Sequence, residues 1–132
     1  MDIIRTRNLT HKYIFLKTDT EGAEWDTLKH LPLEYLDYFD QIAFEIHVGD
    51  IYPEQWGQLD ILRTLNTKFI NINCHMNNNA CTVGRKLPAM AIEATLVNRR
   101  LIKFNSESRT YKLHPLNLIN HFYKPDCQMN QE

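Results

Sequence analysis

At 132 residues, 43% of them hydrophobic, with a formal net charge of −1, the chain has the size of one globular domain that buries roughly two-thirds of its unfolded surface. No apolar run approaches the ~18 residues of a membrane-spanning helix, and residues 1–7 have no hydrophobic stretch of the signal-peptide kind, so the chain reads as soluble. Charge is uneven, with 6 basic and 12 acidic side chains in residues 1–66 against 9 and 4 in residues 67–132. Because no aromatics are interleaved with the basic residues, we expect the two halves to fold against each other and not to meet nucleic acid.

Tyr13 to Thr18 is a short apolar run rich in β-formers that ends in the polar cluster Asp19-Thr20-Glu21-Gly22, which predicts a buried strand entering a turn. Trp25, Leu28 and Leu31 follow at three-residue spacing, with Glu24 and Asp26 early, Lys29 and His30 late and Pro32 as a stop; this charge order is the one a helix dipole favours. Gln41 to Val48 alternates as a second strand, with Ile42, Phe44, Ile46 and Val48 on one face and Ala43, Glu45 and His47 on the other. Pro53 suits the first turn of a second helix, whose Trp56, Leu59, Ile61, Leu62 and Leu65 form an apolar stripe. Phe69 to Cys74 and Ala91 to Val97 read as two more strands, and residues 105–132 as an irregular tail with a short strand near Tyr111.

The order β-α-β-α-β-loop-β predicts one α/β domain over residues 1–132 with a mostly parallel sheet, because parallel neighbours need long crossovers. Met76 to Met90 has no helical period, so the last strand should return antiparallel. Cys74, Cys81 and Cys127 are odd in number and contain no C-x-x-C pair; they read as plain thiols. Asn8-Leu9-Thr10 is a formal glycosylation acceptor, which matters only in a secreted chain.

Ligands of open α/β sheets bind beyond the carboxyl ends of the strands. There the pattern gathers Asp19 and Glu21, then His47 and Asp50, then His75, Asn77 and Asn78, with Glu93 near the start of the antiparallel strand. Glu45, inside an apolar strand and two residues before His47, must be paired or costs several kcal/mol to bury. That pair is either an acid/base or metal-ligand set, or a buried structural ion pair. Asp19 is either a site residue or a helix cap, and His75 with its asparagines is either a polar pocket or an ordinary loop. Neither a phosphate-binding glycine loop nor G-x-S-x-G nor H-E-x-x-H is present.

Lys17-Thr18-Asp19-Thr20-Glu21-Gly22-Ala23-Glu24 resembles the K-x-D-x-E-G-x-E segment of FkbM-type S-adenosylmethionine-dependent methyltransferases, and Glu45-Ile46-His47 resembles the E-x-H of that family's next strand. Asn77-Asn78 is similar to the asparagine pair after its sixth strand, Ile92–Val97 to its final strand, and His114 to Asp126 to a proline-containing tail of animal members. Thr18 and Thr20 stand where the family more often has aliphatic residues. The resemblance covers residues 10–127 and implies the carboxyl-terminal half of a class I (Rossmann-like) methyltransferase sheet, order 4-5-7-6 with strand seven antiparallel. It implies S-adenosylmethionine as cofactor and an acceptor hydroxyl as substrate. Asp19, Glu21 and His47 are the implied catalytic residues, with His47 as base, while Glu45, His75, Asn77, Asn78 and Glu93 line the acceptor side. The family's first three strands, with the loop that holds the cofactor, have no counterpart here. The expected partner is therefore the matching amino-terminal half, or a second copy through the edge 13–18. A non-catalytic half-domain serving protein contacts is the alternative reading, and a divalent-metal site on Asp19, Glu21, Glu45 and His47 is a third.

Overall fold

The computed structural model describes residues 2–9, 12–47, 56–81, 89–103 and 122–127. Its elements run α1 (Asp2–Thr6), β1 (Phe15–Thr18), α2 (Glu24–His30), a 3-10 helix (Leu33–Tyr38), β2 (Gln41–His47), α3 (Trp56–Lys68), β3 (Phe69–Met76), β4 (Ala91–Asn98) and a closing 3-10 turn (Arg99–Leu101). The fold is therefore α/β, with a four-stranded mixed sheet ordered β1-β2-β4-β3. Only β1 and β2 are parallel neighbours; β4 lies between β2 and β3, antiparallel to both. The expected antiparallel return is borne out: β1, β2 and β3 run the same way and β4 opposes them, which makes the sheet mixed, and inserting β4 separates β2 from β3.

One face of the sheet carries the core. Ile42, Phe44, Leu65 and Phe69 are buried there with Leu36 and Phe39, and Leu16, Leu28, Ile61, Leu62 and Leu96 pack around them. Period-two alternation places Ile42 and Phe44 on that face and turns Ala43, Glu45 and His47 to the other. Burying these side chains contributes roughly 1.5–3 kcal/mol each. Trp25 of α2 meets Phe44 edge to face, with ring centroids 6.2 Å apart. The stripe on α3 is partial: Leu65 is buried, whereas Leu59 lies 40% exposed. Val48 and Pro53 fall outside the described residues, as does Tyr111.

The end of the sheet away from the strand tips is pinned by a polar knot. Buried Asp40 accepts from the Ile14 amide at 2.8 Å and from Arg100, while Asn98 donates to the Phe39 carbonyl at 3.0 Å. These bonds fix where β1, β2 and β4 begin and end, which is a structural role.

The cysteine expectation is overturned. Cys81 and Cys127 form a disulfide across 46 residues, and Cys74 keeps its thiol. Its tether docks residues 122–127 onto the 3-10 turn Asn78–Ala80: Lys124 Nζ donates to Asn79 Oδ1 at 2.7 Å, and Asn78 Nδ2 donates to the Lys124 carbonyl at 2.9 Å. Spacing alone offers no basis for choosing among the possible pairs, because folding sets the proximity. Among the described residues no helix is long and apolar enough to cross a membrane.

Candidate functional site

At the carboxyl ends of the parallel pair, the turn after β1 and the end of β2 meet. Glu21 and Gly22 both adopt positive φ, 54° and 98°, which folds the chain back tightly enough for α2 to start beside His47. A side chain at positive φ is strained unless it is glycine, so Gly22 is the residue the turn needs and Glu21 is the one held against preference.

Glu24 organises the junction. It is 1% exposed and accepts four hydrogen bonds: from Thr20 Oγ1 at 2.9 Å, the Gly22 amide at 2.9 Å, the His47 amide at 3.1 Å and His47 Nδ1 at 2.9 Å. Trp25 Nε1 donates to the His47 carbonyl at 2.8 Å. One helix turn therefore grips both the backbone and the ring of His47. With Nδ1–H directed at Glu24, the neutral ring carries its lone pair on Nε2, and the ion pair forms when that nitrogen takes a proton. That nitrogen faces Glu21 at 3.4 Å and Glu45 at 4.0 Å.

The electrostatics follow from this crowding. Burial pushes the Glu24 carboxyl up, but hydrogen bonds from its own backbone amide, from His47 and from Thr20 outweigh it and hold the group below the usual carboxylate range. Burial likewise disfavours a charged His47, yet the Glu24 hydrogen bond and the charges of Glu24, Glu45 and Glu21 raise it above an ordinary histidine. Glu45 is raised, first by burial and then by the charge of Asp19, against the Asn77 hydrogen bond and His47. A low carboxylate beside a raised imidazole is the arrangement of an ion pair that also serves as an oriented base.

Most of the expected site residues do come together. Asp19, Glu45 and His47 each place one ligand atom within 4.8 Å of the others. Asn77 donates through Nδ2 to Glu45 Oε1 at 3.0 Å, and the β-register sets Glu45, Glu93 and His75 side by side across β2, β4 and β3. Asp19 does not cap α2, since the N-cap position is Ala23 and carries no side-chain bond; its partner is Lys17 at 3.5 Å. Two residues are covered by the carboxyl-terminal tail. Asn78 is buried under the tail, and His75, 5% exposed, has Nε2 3.5 Å from Asp126 of the tail and Nδ1 3.9 Å from Glu93. Asp50 lies outside the described residues.

Glu24 was the residue that sequence reasoning undervalued, because an acid in a first helical turn is what the dipole favours anyway. Its signal was Thr20 four residues before it, with Gly22 between them. Comparison with family models, with curated proteins and with solved structures finds no match.

Proposed function

We propose that this chain is the acceptor-side half of an FkbM-type, S-adenosylmethionine-dependent O-methyltransferase. The observation that carries the reading is the Glu24–His47 pair at the tip of the parallel strands, with Nε2 3.4 Å from Glu21 and 4.0 Å from Glu45. The order β1-β2-β4-β3 is compatible with strands 4-5-7-6 of that sheet. S-adenosylmethionine supplies an electrophilic methyl group. Among the described residues there is no glycine-rich cradle for its nucleotide, so these residues fit the acceptor and not the cofactor, and a matching amino-terminal half would hold the latter.

His47 Nε2 takes the proton of the acceptor hydroxyl, and Glu24 stabilises the imidazolium that results. Asn77 fixes Glu45, and with Asp19 and Glu21 it gives the acceptor a polar, anionic wall. The second reading, a non-catalytic contact module, is favoured by one feature: β1 is an outer strand of the described sheet, and its Phe15 is 51% exposed.

The test supplements the chain with a matching amino-terminal half and follows labelled methyl transfer to a panel of phenols and sugar alcohols. His47→Ala is the wrong variant, since it strands buried Glu24 and costs folding. His47→Asn keeps a donor for Glu24 and removes Nε2, so turnover should fall about a hundredfold or more with little change in melting point. Transfer unaffected by His47→Asn returns His47 to a structural role. Absence of any transfer by the unsubstituted pair favours the contact module.

A further inference from the structure

We infer that Asp19, Glu45 and His47 form a binding site for one divalent transition-metal ion, of the class of Mn2+ or Zn2+. Three donor atoms of suitable chemistry converge within 4.8 Å of one another; an ion at about 2.0–2.2 Å from each holds its ligands no more than about 4.4 Å apart, so binding would draw the donors inward, a movement that the exposed Asp19 side chain can make. Two come from β2 and one from the turn after β1, so the ion would tie the tips of the two parallel strands together.

The surroundings of these donors are what separates the cluster from an exposed acidic patch. His47 is not a loose imidazole: its Nδ1 is fixed at 2.9 Å from the buried Glu24 carboxylate, which sets the tautomer and aims the Nε2 lone pair at Glu21 and Glu45. A carboxylate behind the imidazole is the outer-shell arrangement that orients histidine on a metal. Glu45 is itself held, through Oε1, by Asn77 Nδ2 at 3.0 Å, and only 15% of its side chain is exposed. Glu21, 3.4 Å from Nε2 on a mobile-length side chain that is 89% exposed, stands where it can close on the ion as a fourth ligand.

Charge points the same way. Asp19, Glu21, Glu24 and Glu45 bring four carboxylates to one imidazole, and the only other cation that reaches them among the described residues is Lys17, 3.5 Å from Asp19 and 62% exposed. A dication would add to the partial relief that Lys17 gives Asp19 and that Asn77 and His47 give Glu45. Two oxygens and one imidazole nitrogen suit Mn2+ and Zn2+ better than Ca2+, for which imidazole is a poor ligand.

The inference goes beyond the methyl-transfer reading and revises one step of it. An ion on Nε2 uses the lone pair that would otherwise take the proton, so in the loaded protein His47 would position the ion and would not act as the base. The binding test needs neither cofactor nor acceptor, so its outcome is separate from whether methyl groups are transferred.

The oxidised chain, stripped with chelator and desalted, is titrated with Mn2+ while the paramagnetic resonance signal of the free ion is followed; Mn2+ has little affinity for the thiol that Cys74 keeps. One saturable site in the micromolar range is expected, with Zn2+ displacing Mn2+ and Ca2+ failing to do so. Asp19→Asn and Glu45→Gln should each weaken binding about tenfold or more, and Glu24→Gln, behind His47, by about 10–100-fold. Asp37→Asn, which breaks the distant pair with Lys68, should change nothing. Asp19 is exposed and both ligand variants are nearly isosteric, so their melting points in chelator should match the unsubstituted chain and report that they fold. No saturable binding below about 1 mM, or binding indifferent to Asp19→Asn and Glu45→Gln in folded protein, overturns the site.

Discussion

Glu24→Ala is the substitution to which the fold should be most sensitive among the charged residues. Removing the carboxylate leaves the Gly22 and His47 amides, Thr20 Oγ1 and His47 Nδ1 without their acceptor. Each buried donor left unsatisfied costs about 1–3 kcal/mol, but the exposed hydroxyl and the ring can turn to water, so the sum should resemble the 3–5 kcal/mol of a broken buried pair. That is a large share of the 5–15 kcal/mol by which domains are usually stable. Urea denaturation in the presence of chelator measures it. The pH dependence carries a second signature. Glu24 is held below its ordinary 4.5, so its contribution is present above that value and lost as pH falls through the folded one. His47 is raised above its ordinary 6.5, so its contribution is complete below 6.5 and lost as pH rises through the folded value. The advantage of the unsubstituted chain over Glu24→Ala should therefore be greatest between about pH 4.5 and 6.5 and shrink on both sides. A loss under about 1 kcal/mol, within reach of an ordinary surface change, or a difference that is flat with pH, would refute the account of the junction.

Reducing the Cys81–Cys127 disulfide, or replacing both cysteines by serine, should cost about 4 kcal/mol, the chain-entropy value for a closed loop of 46 residues; urea midpoints with and without reductant check it, and a difference under about 1 kcal/mol would mean that the docked tail holds without the bond. Phe15→Lys should shift self-association towards monomer in light scattering over a concentration series, because a charge on an outer strand opposes strand pairing. With Phe15 half exposed the change empties no core, and an unsubstituted chain that is monomeric at every concentration removes the edge as an interface.

The strands were readable because alternation is a property of consecutive residues: Ile42, Phe44 and Ile46 against Ala43, Glu45 and His47 fixes which face is buried before any partner is known. The meeting of Asp19, Glu45 and His47 was readable for a related reason, since all three sit at the tips of neighbouring strands that run the same way. What could not be read depends on distant proximity. The disulfide joins a loop to a tail across 46 residues, and no local pattern specifies that pairing. The short 3-10 helix Leu33–Tyr38 follows a proline stop and has no clear helical period. Glu24 was visible as a residue but not as a hub, because a capping acid and a buried acceptor of four bonds have the same sequence signature until His47 is placed beside it.

Inserting β4 between β2 and β3 has a consequence for how the domain is made. Residues 41–47 and 69–76 share no ladder of their own, so during synthesis one of the two interior strands of the finished sheet is the last of the four to leave the ribosome. Until residue 98 has emerged, β2 offers one unsatisfied edge and β3 has no neighbour at all. At ~5–20 residues per second, the interval between completing β2 and completing β4 lasts several seconds. Throughout it, a half-built sheet presents bare backbone to the crowded cytosol or lumen around it. A chaperone that recognises extended apolar segments would find its substrate in that interval, and its dissociation would be timed by the arrival of Ala91–Asn98.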